Sequence, residues 1–186
     1  LSIRRQRQMC IRDSHTSVHI VGGAARKLLG PHIYQAGANK SVESARLDIT
    51  HHRRLNRKDL DAIESLANEI VQNVSRTEKL TLDRKDADRK FGFDLYQGCA
   101  PKGSDIRILR ISDHYIQACC GTHHDEPGRI GQIRIVRSNA VQDGVEQEAD
   151  LGIDVESTVG NQESSKSDTG YQSEGRVDEK DSSTSE

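Results

Sequence analysis

The sequence predicts an α+β domain in which helices pack against one face of an antiparallel sheet. Apolar residues recur with the 3.6-residue period of a helix between Leu60 and Val74, which indicates a strongly amphipathic helix. Three β-rich segments, 106–112, 115–120 and 130–138, are separated by short polar linkers, which favours antiparallel hairpins. Hydrophobic residues make up 33% of the chain and aromatic residues 3%, so the core is expected to be aliphatic.

The first element is expected to be a helix that begins at Ser14. Residues 1–13 show neither helical nor strand periodicity, and we interpret them as a foreign or disordered leader. Ser14 is a favourable N-cap for a helix, and Gly30 followed by Pro31 is a strong stop signal.

Two strands and two further helices are expected next. The alternation of polar and apolar residues over 46–50 suits a half-buried strand, joined by a polar loop to a strand before it. Asn56 can cap the amphipathic helix. Asp83 can open a short third helix that ends near Phe91 and Gly92.

The C-terminal part of the chain differs in composition from the rest. Residues 146–186 hold 12 of the 29 acidic residues and 3 of the 27 basic ones, so residues 1–145 carry a net charge of +7. Such a segment buries too little apolar surface to offset the entropy of ordering, and it is predicted to be a disordered acidic tail. The main domain is therefore expected to span residues 14–145. Its basic balance suits a polyanion, although ordinary solvated Lys and Arg residues would give the same balance.

Several classes of protein are not expected. No apolar run approaches the length that crosses a bilayer, and the start lacks the apolar region of a secretory signal, so a soluble, cytoplasmic protein without membrane contact is predicted. The four cysteines include an adjacent pair, which favours metal binding or free thiols over a disulfide scaffold.

A metal site is predicted from two distant motifs. His15 and His19 lie one turn apart on one face of the first helix, a spacing that can chelate a single ion. The late segment Cys119-Cys120-Gly-Thr-His123-His124 adds a thiolate and an imidazole, and this combination is typical of zinc. The site would lie between the first helix and a late hairpin. Spacing alone leaves two registers open, Cys119 with His123 or Cys120 with His124, because both give Cys-x-x-x-His. Strand alternation turns the two cysteines to opposite faces, so only one of them can be a ligand in a regular strand.

The motifs HTSVH, LLGPHIYQAG, ARLDITH, RKFGFDLYQG, QACCGTH and GRIGQIRIVRSNAVQDGVE occur in this order between residues 15 and 146. Together they resemble the second-additional-domain editing module of alanyl-tRNA synthetases of the archaeal type, and free-standing alanyl-tRNA editing proteins are similar. Threonyl-tRNA synthetases carry a related module, but the QAG and QDGVE stretches favour the alanyl branch.

The resemblance assigns roles to particular residues. It implies zinc ligands at His15, His19, Cys119 and His123, and thereby the register of Cys119 with His123. It implies that Gln35 is an active-site residue that positions the aminoacyl end or the attacking water; the alternative is a surface residue of a strand. Gly121 and Thr122, which complete the Cys-x-Gly-Thr-His motif, are candidates for substrate contacts.

The sequence departs from the family pattern at three places. Cys120 replaces the usual glycine of the zinc motif, and Cys99 replaces the second glycine of a Gln-Gly-Gly stretch. The family continues after QDGVE with an apolar strand, whereas this chain enters its acidic segment, so the last strand is expected to be lost or frayed.

The implied function is zinc-dependent hydrolysis of seryl- or glycyl-tRNA(Ala), with the acceptor end of the tRNA as partner and no DNA. Arg26, Lys27, Arg53 and Arg54 are candidates for phosphate contacts, or are simply solvated. The sequence contains no ATP-binding motif of a synthetase, so ATP would serve only the aminoacylation domain of a parent alanine-tRNA ligase, present in cis or trans. A zinc-stabilised tRNA-binding module without turnover is the alternative, as is a stand-alone editing factor rather than a fragment.

Overall fold

The α+β class is confirmed by a computed structural model, which describes residues 3–41, 44–74, 76–97, 101–111, 113, 115–140 and 149–157. The helices are α1 Ile3–Leu29, α2 Arg57–Asn73 and α3 Arg84–Phe91. The strands are β1 Gln35–Lys40, β2 Ala45–His51, β3 Glu78–Asp83, β4 Asp105–Ile111, β5 Tyr115–Ala118, β6 Ile133–Ala140 and β7 Ala149–Ser157. Among the described residues, no helix is both long and apolar enough to cross a bilayer.

The described strands form two antiparallel sheets, where the sequence predicted one. The larger sheet has the order β1-β2-β7-β6, and the smaller has the order β3-β4-β5. Along β2 the buried positions alternate as Ala45, Leu47 and Ile49, as expected for a strand with one face on the core. The main core is formed by this face of β2 together with buried side chains of α1 and α2, such as Val21 and Ile63. A second, smaller core lies between α3 and the β3-β4-β5 sheet.

The predictions for α2 and α3 are confirmed at their ends. The Asn56 side chain accepts a hydrogen bond from the backbone N–H of Asp59, and the Asn56 backbone N–H donates to the Asp59 carboxylate, which forms a capping box. Asp83 accepts a hydrogen bond from the backbone N–H of Lys85. Gly92 ends α3 with a φ of +66°, a conformation that glycine adopts without strain.

The predicted start of α1 is wrong. The helix already includes Ile3 and runs through Ser14, which is buried and uses its hydroxyl to hydrogen-bond the carbonyl of Ser41 at 3.0 Å. Because Ser14 lies inside the helix, it does not cap an N-terminus. The segment 3–13 is therefore helical rather than disordered, since its Arg and Gln residues are good helix formers. Its foreign origin stays a prediction.

The prediction of a disordered tail over 146–186 is wrong for residues 149–157. These residues form β7, which pairs with β2 on one side and β6 on the other. The apolar residues Leu151, Ile153 and Val155 alternate in the sequence, a strand signal that the acidic composition obscured. The expectation that the last strand is lost is wrong for the same reason. Residues 146–148 and 158–186 lie outside the described residues.

The third β-rich segment also has a different partner from the predicted one. β4 and β5 form the expected hairpin, but β6 pairs with β7 in the other sheet. The chain between β5 and β6 contains a 3₁₀ turn, Pro127–Ile130, and crosses between the sheets there. This crossing segment carries Cys119 to His124, so it brings the zinc motif beside α1.

Candidate metal centre

The structure brings His15, His19, Cys119 and His123 together. One metal-binding atom from each side chain lies within 4.8 Å of the others. His15 and His19 point from α1, with ring centroids 4.9 Å apart, and the His123 ring lies 4.1 Å from that of His15. The Cys119 Sγ is 3.5 Å from the His15 Nε2 and 3.3 Å from the His123 Nε2. The four side chains therefore surround one point.

The polar atoms of this cluster fit a metal ion. Both ring nitrogens of His19 and the Nδ1 of His123 are buried without a hydrogen-bond partner. Buried polar atoms are nearly always satisfied, and an unpaired imidazole nitrogen is the atom that coordinates a metal. One thiolate with three imidazoles is a donor set that suits zinc.

Burial favours the neutral form of the side chains in this cluster. It lowers the pKa of His15 to about 4, with a smaller contribution from the charge of Lys40. It lowers the pKa of His123 to about 3, and that of His19 well below its ordinary value. Burial also raises the pKa of the Cys119 thiol. A bound cation would offset this last effect, because a coordinating thiol is deprotonated by the metal.

Gly121 and Thr122 support the cluster. A Cβ on Gly121 would lie 1.9 Å from the Cε1 of His15, so only glycine leaves room for that ring. The Gly121 N–H donates to the Cys119 Sγ at 3.5 Å, and a hydrogen bond between the His15 ring and the backbone of Thr122, which accepts it, acts to raise the pKa of His15. Their role in substrate contacts stays a prediction, and their observed backbone contacts are with Cys119 and His15.

Cys120 lies outside the cluster. Its side chain is exposed, and its carbonyl accepts a hydrogen bond from Arg107 at 3.3 Å. The ring of His124 contacts the carboxylate of Asp13 instead of a thiol. Among the described residues, the alternative register of Cys120 with His124 therefore forms no metal-binding group. Cys99 lies outside the described residues.

Gln35 lies in a network of amide side chains beside the cluster. Its backbone N–H donates to the Gln97 Oε1 at 3.1 Å, and its Oε1 lies 3.4 Å from the Gln117 Nε2, which donates to it. The Tyr115 hydroxyl donates to the Gln117 Oε1 at 2.6 Å, and the Tyr115 ring is 5.7 Å from that of His19. A chain of contacts thus leads from Gln35 to the histidine cluster.

Lys40 was missed by the sequence analysis. It is half-buried at the end of β1, and its charge lowers the pKa values of His15, His19 and His123. Burial lowers the pKa of Lys40 itself. Lys40 lies five positions after Gln35, an odd offset that in a regular strand places the two side chains on opposite faces, so strand periodicity did not link them.

A bulge in β1 brings Gln35 and Lys40 to one face. Gln35 pairs with Ile49, Gly37 with Asp48 and Lys40 with Ala45, so Ala36 is an extra residue. Paired residues share a face of the sheet, and Ile49 and Ala45 both face the core. Gln35 and Lys40 therefore lie on the same face.

The four predicted phosphate contacts differ in their surroundings. Arg26 forms an ion pair with Asp94 at 3.1 Å and stacks over the Tyr34 ring at 4.6 Å. Arg53 is paired with Asp59. Lys27 and Arg54 are exposed. The charges of Arg26 and Arg53 are thus partly neutralised by acidic side chains of the protein. Contact with phosphate is untested for all four.

Comparison with known proteins confirms the resemblance seen in the sequence. Residues 106–146 match the second additional domain of threonyl and alanyl tRNA synthetases. The alanine–tRNA ligase of Methanopyrus kandleri is 48% identical over 142 residues, which are 76% of this chain and 16% of that protein. The corresponding values are 49% over 148 residues for Haloquadratum walsbyi, covering 79% and 16%, and 47% over 145 residues for Methanothermobacter thermautotrophicus, covering 78% and 16%. The chain thus spans about 16% of the length of these relatives.

Proposed function

From its relationship to the alanine–tRNA ligases, we propose that this chain is an aminoacyl-tRNA hydrolase that removes serine or glycine from mischarged tRNA(Ala). The cluster of His15, His19, Cys119 and His123, with its unpaired buried nitrogens, is the observation that carries the proposal. The ligand pair Cys119 and His123 lies within the segment that matches the synthetase domain. We further propose that the rest of an alanine–tRNA ligase, in cis or trans, is its cytoplasmic partner.

The proposed activity would correct errors that arise because an amino-acid binding pocket selects alanine imperfectly. A pocket for alanine does not exclude glycine, which is smaller, and rejects serine poorly, because one added hydroxyl changes binding by only a few kcal/mol. A second, hydrolytic site that accepts the wrong product corrects these errors.

The reaction is hydrolysis of the ester between the amino acid and the 3′-terminal ribose. Zinc held by the four ligands would supply Lewis acidity next to the ester carbonyl. The Gln35 amide can donate and accept hydrogen bonds, so it suits a substrate oxygen or the attacking water without competing for zinc. The Lys40 ammonium lies on the same face of the sheet as Gln35 and would stabilise the negative charge that develops on the ester oxygen. The chain thus mainly positions groups and stabilises charge around an activated bond.

Binding of the tRNA is proposed to use the surface next to this site. The side chains of Lys27 and Arg54 are exposed, and Arg26 and Arg53 would exchange their acidic partners Asp94 and Asp59 for phosphates.

One observation favours the alternative, a tRNA-binding module without turnover. Four protein ligands usually complete a structural zinc site, whereas catalytic zinc keeps one position for water or substrate. Single-turnover assays with seryl-tRNA(Ala) and alanyl-tRNA(Ala) separate the two functions. A hydrolase releases serine at least roughly tenfold faster than alanine, a difference of about 1.4 kcal/mol in transition-state stabilisation. Saturable tRNA binding with both esters left intact would establish the binding module.

Replacement of Gln35 by alanine is expected to slow hydrolysis of seryl-tRNA(Ala) by at least roughly tenfold, or about 1.4 kcal/mol. The backbone N–H that contacts Gln97 remains, so zinc content and melting temperature should be nearly unchanged. Asn39→Ala, at an exposed position of the same strand, is the matched control and should keep the wild-type rate. A wild-type rate in zinc-replete Gln35→Ala protein would remove Gln35 from the site, and parallel loss of zinc and activity would make it a structural residue.

A further inference from the structure

A second group of imidazoles lies at the end of β2, formed by His32, His51 and His52. One ring nitrogen from each lies within 4.8 Å of the others. The rings of His32 and His51 are stacked with centroids 5.1 Å apart, and the His52 ring is 4.5 Å from that of His51 and 5.2 Å from that of His32. None of these residues belongs to the centre formed by His15, His19, Cys119 and His123.

A hydrogen bond between two of the rings does not satisfy the group. The His32 Nε2 and the His51 Nδ1 are 2.8 Å apart, so one proton can be shared between them. His51 is 2% exposed, and its Nε2 is buried without a partner. The other nitrogen of the same ring, Nδ1, faces His32 and is the atom that would meet an ion shared with it. The imidazole of His52 lies against this pair although its side chain is exposed and free to turn into water.

We propose that His32, His51 and His52 form a second metal site, which takes a divalent transition-metal ion of the zinc, nickel or copper class. Imidazole is a ligand that suits these ions, whereas calcium and magnesium prefer oxygen. Two nitrogens on one tetrahedral zinc are roughly 3.3 Å apart for bonds of about 2.0 to 2.1 Å. The observed 2.8 Å between the His32 and His51 nitrogens therefore has to widen only slightly.

The surroundings are compatible with a cation. Arg53 follows His52 directly, but its guanidinium makes two contacts with the Asp59 carboxylate, at 2.6 and 3.2 Å. The Asp59 carboxylate thus offsets part of the Arg53 charge near the three imidazoles. Because His52 is exposed, three protein ligands leave a position open to solvent, which is typical of an exchangeable rather than a closed site.

The ion would join two segments that already contact each other. The Thr50 hydroxyl donates to the His32 carbonyl at 2.7 Å, and the Tyr34 N–H donates to the Thr50 Oγ1 at 2.9 Å. A bond from His32 through the metal to β2 would reinforce this link. Residues 32–34 directly precede Gln35, the first residue of β1. A metal ion bound at the second site would therefore restrict the movement of this end of β1.

Cobalt titration of the full chain tests the proposal. Cobalt at the first centre gives the near-ultraviolet thiolate charge-transfer band of Cys119, whereas an all-imidazole site adds visible ligand-field absorption without that band. We expect two spectrally distinct equivalents, and elemental analysis in micromolar free zinc should approach two ions per chain. His52→Asn and His32→Asn should each abolish the second equivalent and leave the thiolate band intact. The exposed Arg54→Gln variant on the same turn should keep both.

The cobalt titration tests the second metal site independently of the proposed function, because none of its measurements depends on hydrolysis. A single equivalent at saturating cobalt overturns it. So does a second equivalent that persists in both His32→Asn and His52→Asn. His52 is exposed, so its replacement should leave the metal-free melting temperature unchanged, and that measurement verifies that the variant is folded.

Discussion

Replacement of Gly121 by alanine should weaken zinc binding by about 100-fold, the upper end of the loss in affinity caused by changes next to metal ligands. The added Cβ would lie 1.9 Å from the Cε1 and 2.4 Å from the Nδ1 of His15, so the imidazole has to leave its position. The site then loses a ligand although no ligand has been mutated. Competition with a chromophoric chelator measures the zinc affinity, and hydrolysis of seryl-tRNA(Ala) should fall in parallel.

Gly128→Ala is the matched control for this change. Gly128 lies in the same crossing segment between β5 and β6, and a Cβ there would meet only the Val71 carbonyl at 3.7 Å, an ordinary contact. Zinc affinity should therefore be retained. Equal affinities in Gly121→Ala and wild-type protein would show that His15 is not a ligand, or that the turn lies elsewhere.

The two adjacent cysteines should respond very differently to replacement. Cys119→Ala removes the only sulfur of the cluster, so we expect loss of bound zinc and a fall in hydrolysis of at least roughly 100-fold, or about 2.7 kcal/mol. Cys120→Ala removes an exposed thiol and should change neither quantity. Cys120→Gly, which restores the usual glycine of the family motif, should also retain both zinc and activity.

Zinc content and single-turnover rates measured on the same samples decide between the registers. If Cys120→Ala loses zinc and Cys119→Ala keeps it, the ligand pair is Cys120 with His124. Loss of folding in Cys119→Ala would appear as a lower melting temperature than that of metal-stripped wild-type protein, which makes the two causes separable.

Residue patterns within one or two helical turns predicted the starts of α2 and α3 and the pairing of two histidines on α1. The capping residues Asn56 and Asp83 mark the starts of α2 and α3, because a side-chain oxygen at that position satisfies free backbone N–H groups. The spacing of His15 and His19 placed two imidazoles on one face of α1. Spacing left two registers for the late motif, and only the family resemblance favoured Cys119.

Pairing between distant segments was not accessible from these signals. β6 pairs with β7 and not with β5, as the sequence had led us to expect. The prediction failed because a strand pattern indicates a half-buried face but does not specify the neighbouring strand. β7 itself was hidden, because its alternating apolar residues lie in an acidic segment. The position of Lys40 depends on the bulge at Ala36; the neighbouring Gly37 marks a break in the strand but does not specify the register on either side of it.

The composition of residues 3–13 was also misleading. Helical periodicity is absent there, yet the segment continues α1, because helix propagation from a well-packed part costs less than nucleation. Asp13 is 6% exposed and contacts His124, so the boundary expected at Ser14 has no counterpart in the packing.

The dependence of hydrolysis on zinc occupancy tests the central claim most directly. Wild-type protein is stripped with a chelator, reloaded with known fractions of one zinc equivalent, and assayed in single turnovers with seryl-tRNA(Ala). Occupancy of the centre is followed in parallel on a variant in which Cys10, Cys99 and Cys120 are all replaced by alanine, so that protection from a thiol reagent reports on Cys119 alone. We expect the amount of rapidly hydrolysed ester to rise in proportion to occupancy and to reach its maximum when Cys119 is fully protected. Equal hydrolysis by the stripped and the reloaded protein would contradict a zinc-dependent reaction, and full occupancy without hydrolysis would contradict a hydrolase.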